Sequence, residues 1–187
     1  MEIGKTLYVT NRKDWRSWLS KNCNQEKEIW LIYYKKLSGK LRIPYNDAVE
    51  EALCYGWIDS TIKSIDEEKF AQRFTPRRPT SILSDMNKER IRRLIKEKSM
   101  TPVGLKAVSH VFDNGKKEKF FIAKDILKAL KDDRLAWENF QKFSEGYKKV
   151  RIGYIESQRR HGDENFKKSL EHFIKKTAKN KKFGMVR

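Results

Sequence analysis

Leu53-Cys54-Tyr55-Gly56-Trp57-Ile58-Asp59-Ser60 decides how this chain must fold. Val49, Ala52 and Leu53 recur at helical spacing before it, so a helix runs into the stretch. Gly56 is the residue that tolerates a left-handed stop. From Trp57 onward the periodicity changes to two, with Trp57, Asp59, Thr61 and Lys63 alternating against Ile58, Ser60, Ile62 and Ser64. Asp66-Glu67-Glu68 supplies a turn, and Phe70-Ala71-Gln72-Arg73-Phe74 returns as the second arm of a hairpin. Pro76 and Pro79 end that arm. Ser84 then reads as a helix N-cap, with Asn87 at the reciprocal position.

Working toward the N-terminus, Pro44 precedes the helix, which should start near Asn46. Ile29-Trp30-Leu31-Ile32-Tyr33-Tyr34 is apolar at every position, the pattern of a central strand covered on both faces. Asn11, with Asp14 three residues on, opens a helix that buries Trp15, Trp18 and Leu19. Leu7-Tyr8-Val9 reads as a short first strand.

Working toward the C-terminus, Asn87, Ile91 and Leu94 share one helix face, with Arg90 at its edge. Thr101-Pro102 starts another helix, which Asn114-Gly115 should close. Gly115 to Lys119 is polar and basic and marks a boundary. Beyond it every periodic segment is helical. Ile126, Leu127 and Leu130 mark the first, and Asp133, Ser144 and Asp163 read as caps of the next three. Lys179 to Lys182 reads as a frayed end. The fold class is therefore α+β: a small mixed or antiparallel sheet with helices over residues 1–115, then an all-helical module over 120–187.

Composition narrows the function. The 187 residues carry 43 Lys and Arg against 25 Asp and Glu, a net charge of +18. Residues 1–115 hold 22 against 15, and residues 116–187 hold 21 against 10. Such a surface favours loose contact with polyanions and equally serves solubility. The apolar run at Ile29–Tyr34 is far below the roughly 20 residues of a spanning helix. Met1 to Thr6 lack the charged start and apolar core of a secretory leader, so none is expected. Cys23 and Cys54 have neither metal nor redox spacing, and a reducing cytoplasm suits them. His110, His161 and His172 show no ligand spacing, and no phosphate-binding loop or serine elbow is present. No catalytic residue, metal or cofactor is assigned.

One cluster stands out as a candidate site. Arg73, Arg77, Arg78 and Arg90 offer guanidinium forks suited to phosphate or carboxylate. Trp57 and Asp59 lie on the neighbouring strand, and Ser84 and Asn87 open the following helix, whose N-terminal amides favour an anion. The competing reading is structural, with Asp59 paired to Arg73 across the hairpin and Trp57 in the core. The basic C-terminal helices carry Trp137, Tyr147, Tyr154 and Phe166, but at helical spacing, which is a core signature rather than a base-stacking one.

Certain segments carry a family resemblance. They are Glu51-Ala52-Leu53-Cys54-Tyr55-Gly56-Trp57-Ile58-Asp59, Arg73-Phe74-Thr75-Pro76-Arg77-Arg78, Ser81 to Ser84 with Asn87, and Met100-Thr101-Pro102-Val103-Gly104. With them the chain resembles the YdeI/OmpD-associated (OmdA, bacteriocin-protection) family over nearly its whole length. It departs at Leu83, where Trp is usual, and at Glu164-Asn165, where Thr-Arg is common. The resemblance implies a bacterial protein of tolerance to bacteriocins and cationic antimicrobial peptides, linked in some members to outer-membrane proteins, with no established reaction. The function expected is stress and bacteriocin tolerance with a small-anion pocket around Arg77. The alternative is a basic nucleic-acid-binding accessory protein, and an enzyme with an unfamiliar site comes third.

Overall fold

The computed structural model describes residues 2–79, 81–112 and 120–184. The helix stop at Asn114-Gly115 and the basic break before Phe120 lie outside the described residues. Two compact units emerge, residues 1–83 with 90–115, and residues 84–89 with 116–187.

The first unit is α+β. It contains β1 (Thr6–Leu7), α1 (Arg12–Asn22), β2 (Ile29–Tyr34), α2 (Tyr45–Cys54), β3 (Trp57–Ser64) and β4 (Lys69–Pro76). It also contains most of α3 (Asp85–Lys96) and α4 (Pro102–Phe112). The strand order is β1-β2-β4-β3, with β1 parallel to β2 and the other pairs antiparallel. The all-apolar β2 is an interior strand, as its composition requires. Ile29, Leu31 and Tyr33 stand opposite Phe74, Gln72 and Phe70 of β4. This face meets α1 and α2 through Trp15, Leu19, Val49, Ala52 and Leu53 in one core. The other face is less covered than the apolar run predicts: Trp30 is buried, but Ile32 and Tyr34 are half-exposed.

Local signals explain the boundaries. Asn11 Oδ1 accepts from the Asp14 amide at 3.0 Å and starts α1. α2 begins one residue early, at Tyr45 after Pro44, with no side-chain cap. Gly56 takes φ +74°, and a side chain there would meet Ala107 Cβ at 2.7 Å. At the end of α2 the Cys54 carbonyl accepts from both the Thr101 amide, at 3.1 Å, and the Thr101 hydroxyl, at 2.6 Å. A Cβ on Gly104 would lie 2.1 Å from that carbonyl oxygen, so the Thr-Pro-Val-Gly segment is a close-packing device.

The hairpin departs from simple alternation. Asp59 pairs with Phe74 and Ile62 with Gln72, so three steps on β3 match two on β4. This bulge puts Ile62 and Ser64 on the face that Trp57 and Asp59 occupy, reversing the expected parity. Ile62 remains 62% exposed, because β3 is an edge strand beyond the cover of the helices.

The second unit holds the start of α3 and four further helices, α5 (Lys124–Asp132), α6 (Arg134–Lys142), α7 (Glu145–Gln158) and α8 (Asp163–Ala178). Ile126, Leu130, Phe140, Phe143, Tyr147, Ile155, Phe166 and Phe173 form its core. Asp133 and Ser144 cap α6 and α7 as expected. Asp163 does not cap α8: Gly162, at φ +101°, takes the cap position and Asp163 becomes the first helical residue. There the carboxylate still suits the positive helix end. The segment after α8 is not frayed. Asn180, at φ +52°, donates its amide to Thr177 O at 2.8 Å, and Lys181 donates to Lys176 O at 2.9 Å. This paired closure satisfies the last carbonyls. Phe183 then donates its amide to Tyr147 Oη at 3.2 Å.

Candidate functional site

The residues singled out along the hairpin separate into four environments. Trp57 is core: it is buried, donates through Nε1 to Cys23 O at 3.1 Å, and stands edge-on to Trp18. It offers no open face for stacking.

Arg73 does not pair with Asp59. Its Nε donates to Glu28 Oε2 at 2.8 Å, its Nη2 donates to the same oxygen, and Trp30 Nε1 donates to Glu28 Oε1 at 3.0 Å. The Arg73 bonds, then the Trp30 bond, hold the Glu28 carboxyl below its ordinary pKa. β4 and β2 set this geometry, since Arg73 stands opposite Trp30 in the register.

Asp59 instead accepts from Tyr45 Oη at 2.6 Å. Asn46 Oδ1, beside Tyr45 on α2, accepts from Arg90 Nη2 at 2.6 Å. Arg90 is buried, and desolvation lowers its pKa against the attraction of Tyr45, Glu50 and Asp59. Tyr33 reaches the same region from β2. Its hydroxyl is buried without a hydrogen-bond partner among the described residues. Burial first, then the nearby Tyr45 and Asp59, push its phenol pKa up. The result is a polar cluster of Tyr33, Tyr45, Asn46, Asp59 and Arg90 on the helix-covered face of the sheet. Sequence reading finds Asp59 and Arg90 in it and misses the two tyrosines, which read as apolar members of a strand and as a residue before a cap. The signal was the placement of Tyr45 directly after Pro44, where a capping side chain is absent.

Arg77 is the fourth environment. Its amide donates to Gly56 O at 2.8 Å, which extends the hairpin by one bond. Its Nη2 donates to Ser81 O at 2.7 Å. Its Nε is buried and has no acceptor among the described residues. Desolvation lowers its pKa, and no carboxylate opposes that shift. Arg78 is exposed, and its carbonyl accepts from the Ser81 amide and hydroxyl at 3.0 and 2.7 Å. These bonds tie Ser81 to Arg78 while the Ser81 carbonyl accepts from Arg77. Ser84 and Asn87 belong to the second unit, where Ser84 Oγ accepts from the Asn87 amide at 3.3 Å.

A further charged group joins α1, α2 and α3 without a signature in the sequence. Glu50 and Glu51 are 2% and 4% exposed on α2. Arg12 and Arg16 of α1 meet Glu51 at 2.7 Å each, Arg12 meets Glu50 at 3.2 Å, and Arg93 of α3 also pairs with Glu50. Desolvation would lower the pKa of Arg12 and Arg16, but the Glu51 bonds outweigh it and raise both. Cys54, at the end of the same helix, has its thiol pushed up to about 11, by burial and then by Glu51. It is therefore a poor nucleophile.

Among the described residues no group of His, Cys, Asp and Glu is arranged to hold a metal, and no helix is long and apolar enough to cross a membrane.

Two family models match the chain, and the first of them also spans residues 84–89 of the second unit. Residues 7–107 match the family model described as Domain of unknown function (DUF8412). Residues 120–180 match the model described as Bacteriocin-protection, YdeI or OmpD-Associated. The second match is confined to the helical module, so the resemblance to that family is narrower than the whole chain. No curated protein and no solved structure matches the sequence. The chain belongs to the DUF8412 family, and its helical part is similar to the family described as bacteriocin-protection, YdeI or OmpD-associated.

Proposed function

We propose that this is a bacteriocin-tolerance protein whose first unit binds a small anion at Arg77, acting in the cytoplasm. The helical module supports the tolerance reading through the family it matches. The net charge of +18 supports an anionic ligand. The single observation that carries the binding reading is the state of the Arg77 guanidinium: half-buried, with no carboxylate partner, and with a buried Nε lacking an acceptor among the described residues. A cation held this way is expensive unless an anion joins it. Phosphate or carboxylate fits the fork. Arg78, exposed one residue on, adds a second charge.

The test is a melting series in inorganic phosphate. Phosphate should raise the wild-type melting temperature by mass action. Arg77→Ala should reduce that rise sharply and Arg78→Ala should reduce it less. A rise that Arg77→Ala leaves untouched overturns the proposal. Tolerance is tested separately, by expressing the chain in a sensitive bacterium exposed to a bacteriocin. Survival equal to that of the empty vector counts against that part.

A further inference from the structure

The second unit contains a cation with no ion pair among the described residues. Arg151 lies on α7 and is only 6% exposed. Its guanidinium stands 4.0 Å from the centre of the Phe183 ring and 4.9 Å from that of Tyr154. Among the described residues it has no carboxylate partner, and its Nε is buried without an acceptor. Burial lowers its pKa, opposed only by the phenols of Tyr147 and Tyr154. The two aromatic faces stabilise the cation in part. They do not satisfy its N–H groups, which need oxygen acceptors.

A cavity of about 450 Å³ adjoins this group, within the range of small-molecule sites. Arg151, Tyr154 and Phe183 line one part of it, and Lys168, Ser169 and His172 of α8 line another. Lys168 is exposed and pairs with Glu164 at 2.6 Å, so it serves as a rim charge. His172 packs edge-on against Phe183 at 4.8 Å. The cavity therefore combines one buried cation, one rim cation, a hydroxyl, an imidazole and two aromatic faces. The closing bonds after α8 fix Phe183 in place, so this wall is built rather than chance.

We propose that this cavity binds a small organic phosphate. Its phosphate meets Arg151, Ser169 and His172, with Lys168 at the mouth, and its apolar body lies against Tyr154 and Phe183. Phosphate is favoured over carboxylate because the cavity lining offers a buried guanidinium, a hydroxyl and an imidazole, more donors than a carboxylate uses, while Lys168 at the rim is already paired with Glu164. This site shares no residue with the Arg77 region.

The test uses the full chain and phenyl phosphate as probe, with amide signals read residue by residue. Phenyl phosphate should shift the signals of Arg151, Tyr154, Ser169 and His172 and bind more tightly than benzoate, inorganic phosphate or phenol. Arg151→Gln should weaken it by about tenfold or more, the value of a charge-assisted contact. Ser169→Ala, on the surface of α8, should weaken it about threefold and keeps the test open if the Arg151 variant folds poorly. Arg77→Ala should leave these shifts unchanged, which separates this site from the first. Benzoate binding more tightly than phenyl phosphate, or no shift at these residues, overturns the proposal.

Discussion

Glu28 is held by two donors, Arg73 and Trp30, that act only in the folded state. Its pKa is therefore depressed on folding. The stability it contributes is present above the unfolded carboxylate value and is lost as pH falls through the lower folded value. Wild type should lose melting temperature between about pH 5 and about pH 3 more steeply than Glu28→Gln. Parallel curves would remove Glu28 from the acid response. The cysteines make a second test at this scale. Burial raises both thiols, Cys54 to about 11. A thiol reagent at neutral pH should label neither in the native protein and both after denaturation. Fast native labelling of Cys54 would contradict its burial. At this scale the sequence was a partial guide. It named Asp59 and Arg73 but paired them with each other, because it could not see that β2 would bring Glu28 to Arg73 and α2 would bring Tyr45 to Asp59.

The elements were more legible. Helix starts at Asn11, Asp133 and Ser144 follow from side chains that reach their own backbone, so they are written locally. The interior position of β2 follows from its unbroken apolar run. The bulge at Ser60-Thr61 has no such signature, since it depends on the register of β4. The charge network was equally hidden. Glu50 and Glu51 look like surface residues of an amphipathic helix, yet they tie α2 to α1 and to Arg93 of α3. Removing the buried Glu51 carboxylate leaves the half-exposed guanidinium groups of Arg12 and Arg16 without their main acceptor. Glu51→Ala should cost about 1–3 kcal/mol by urea denaturation, the value of charge-assisted bonds whose remaining partners are partly hydrated. Asp132→Ala, which breaks an exposed pair with Lys128, should cost about 0.5 kcal/mol or less. Equal costs would show that the network adds nothing beyond surface pairing.

The whole molecule is a sheet-bearing unit and a helical unit that match different families. The change from period-two to purely helical patterning announced the two kinds of structure. No pattern announced that Arg151 would be buried, because that follows from Phe183 folding back after α8. The anion site proposed for the first unit is Arg77, which has no carboxylate partner among the described residues. Its most direct measurement is a phosphate titration read through the amides of Gly56, Arg77 and Ser81 in wild type and in Arg77→Ala, with stability measured in parallel. Wild type should show saturable shifts that are absent in Arg77→Ala, and folding stability should be unchanged within about 1 kcal/mol, since the guanidinium gives up no ion pair. Unmoved amides in wild type, together with a loss of about 3–5 kcal/mol in Arg77→Ala, would make Arg77 a structural residue and rule out the anion site.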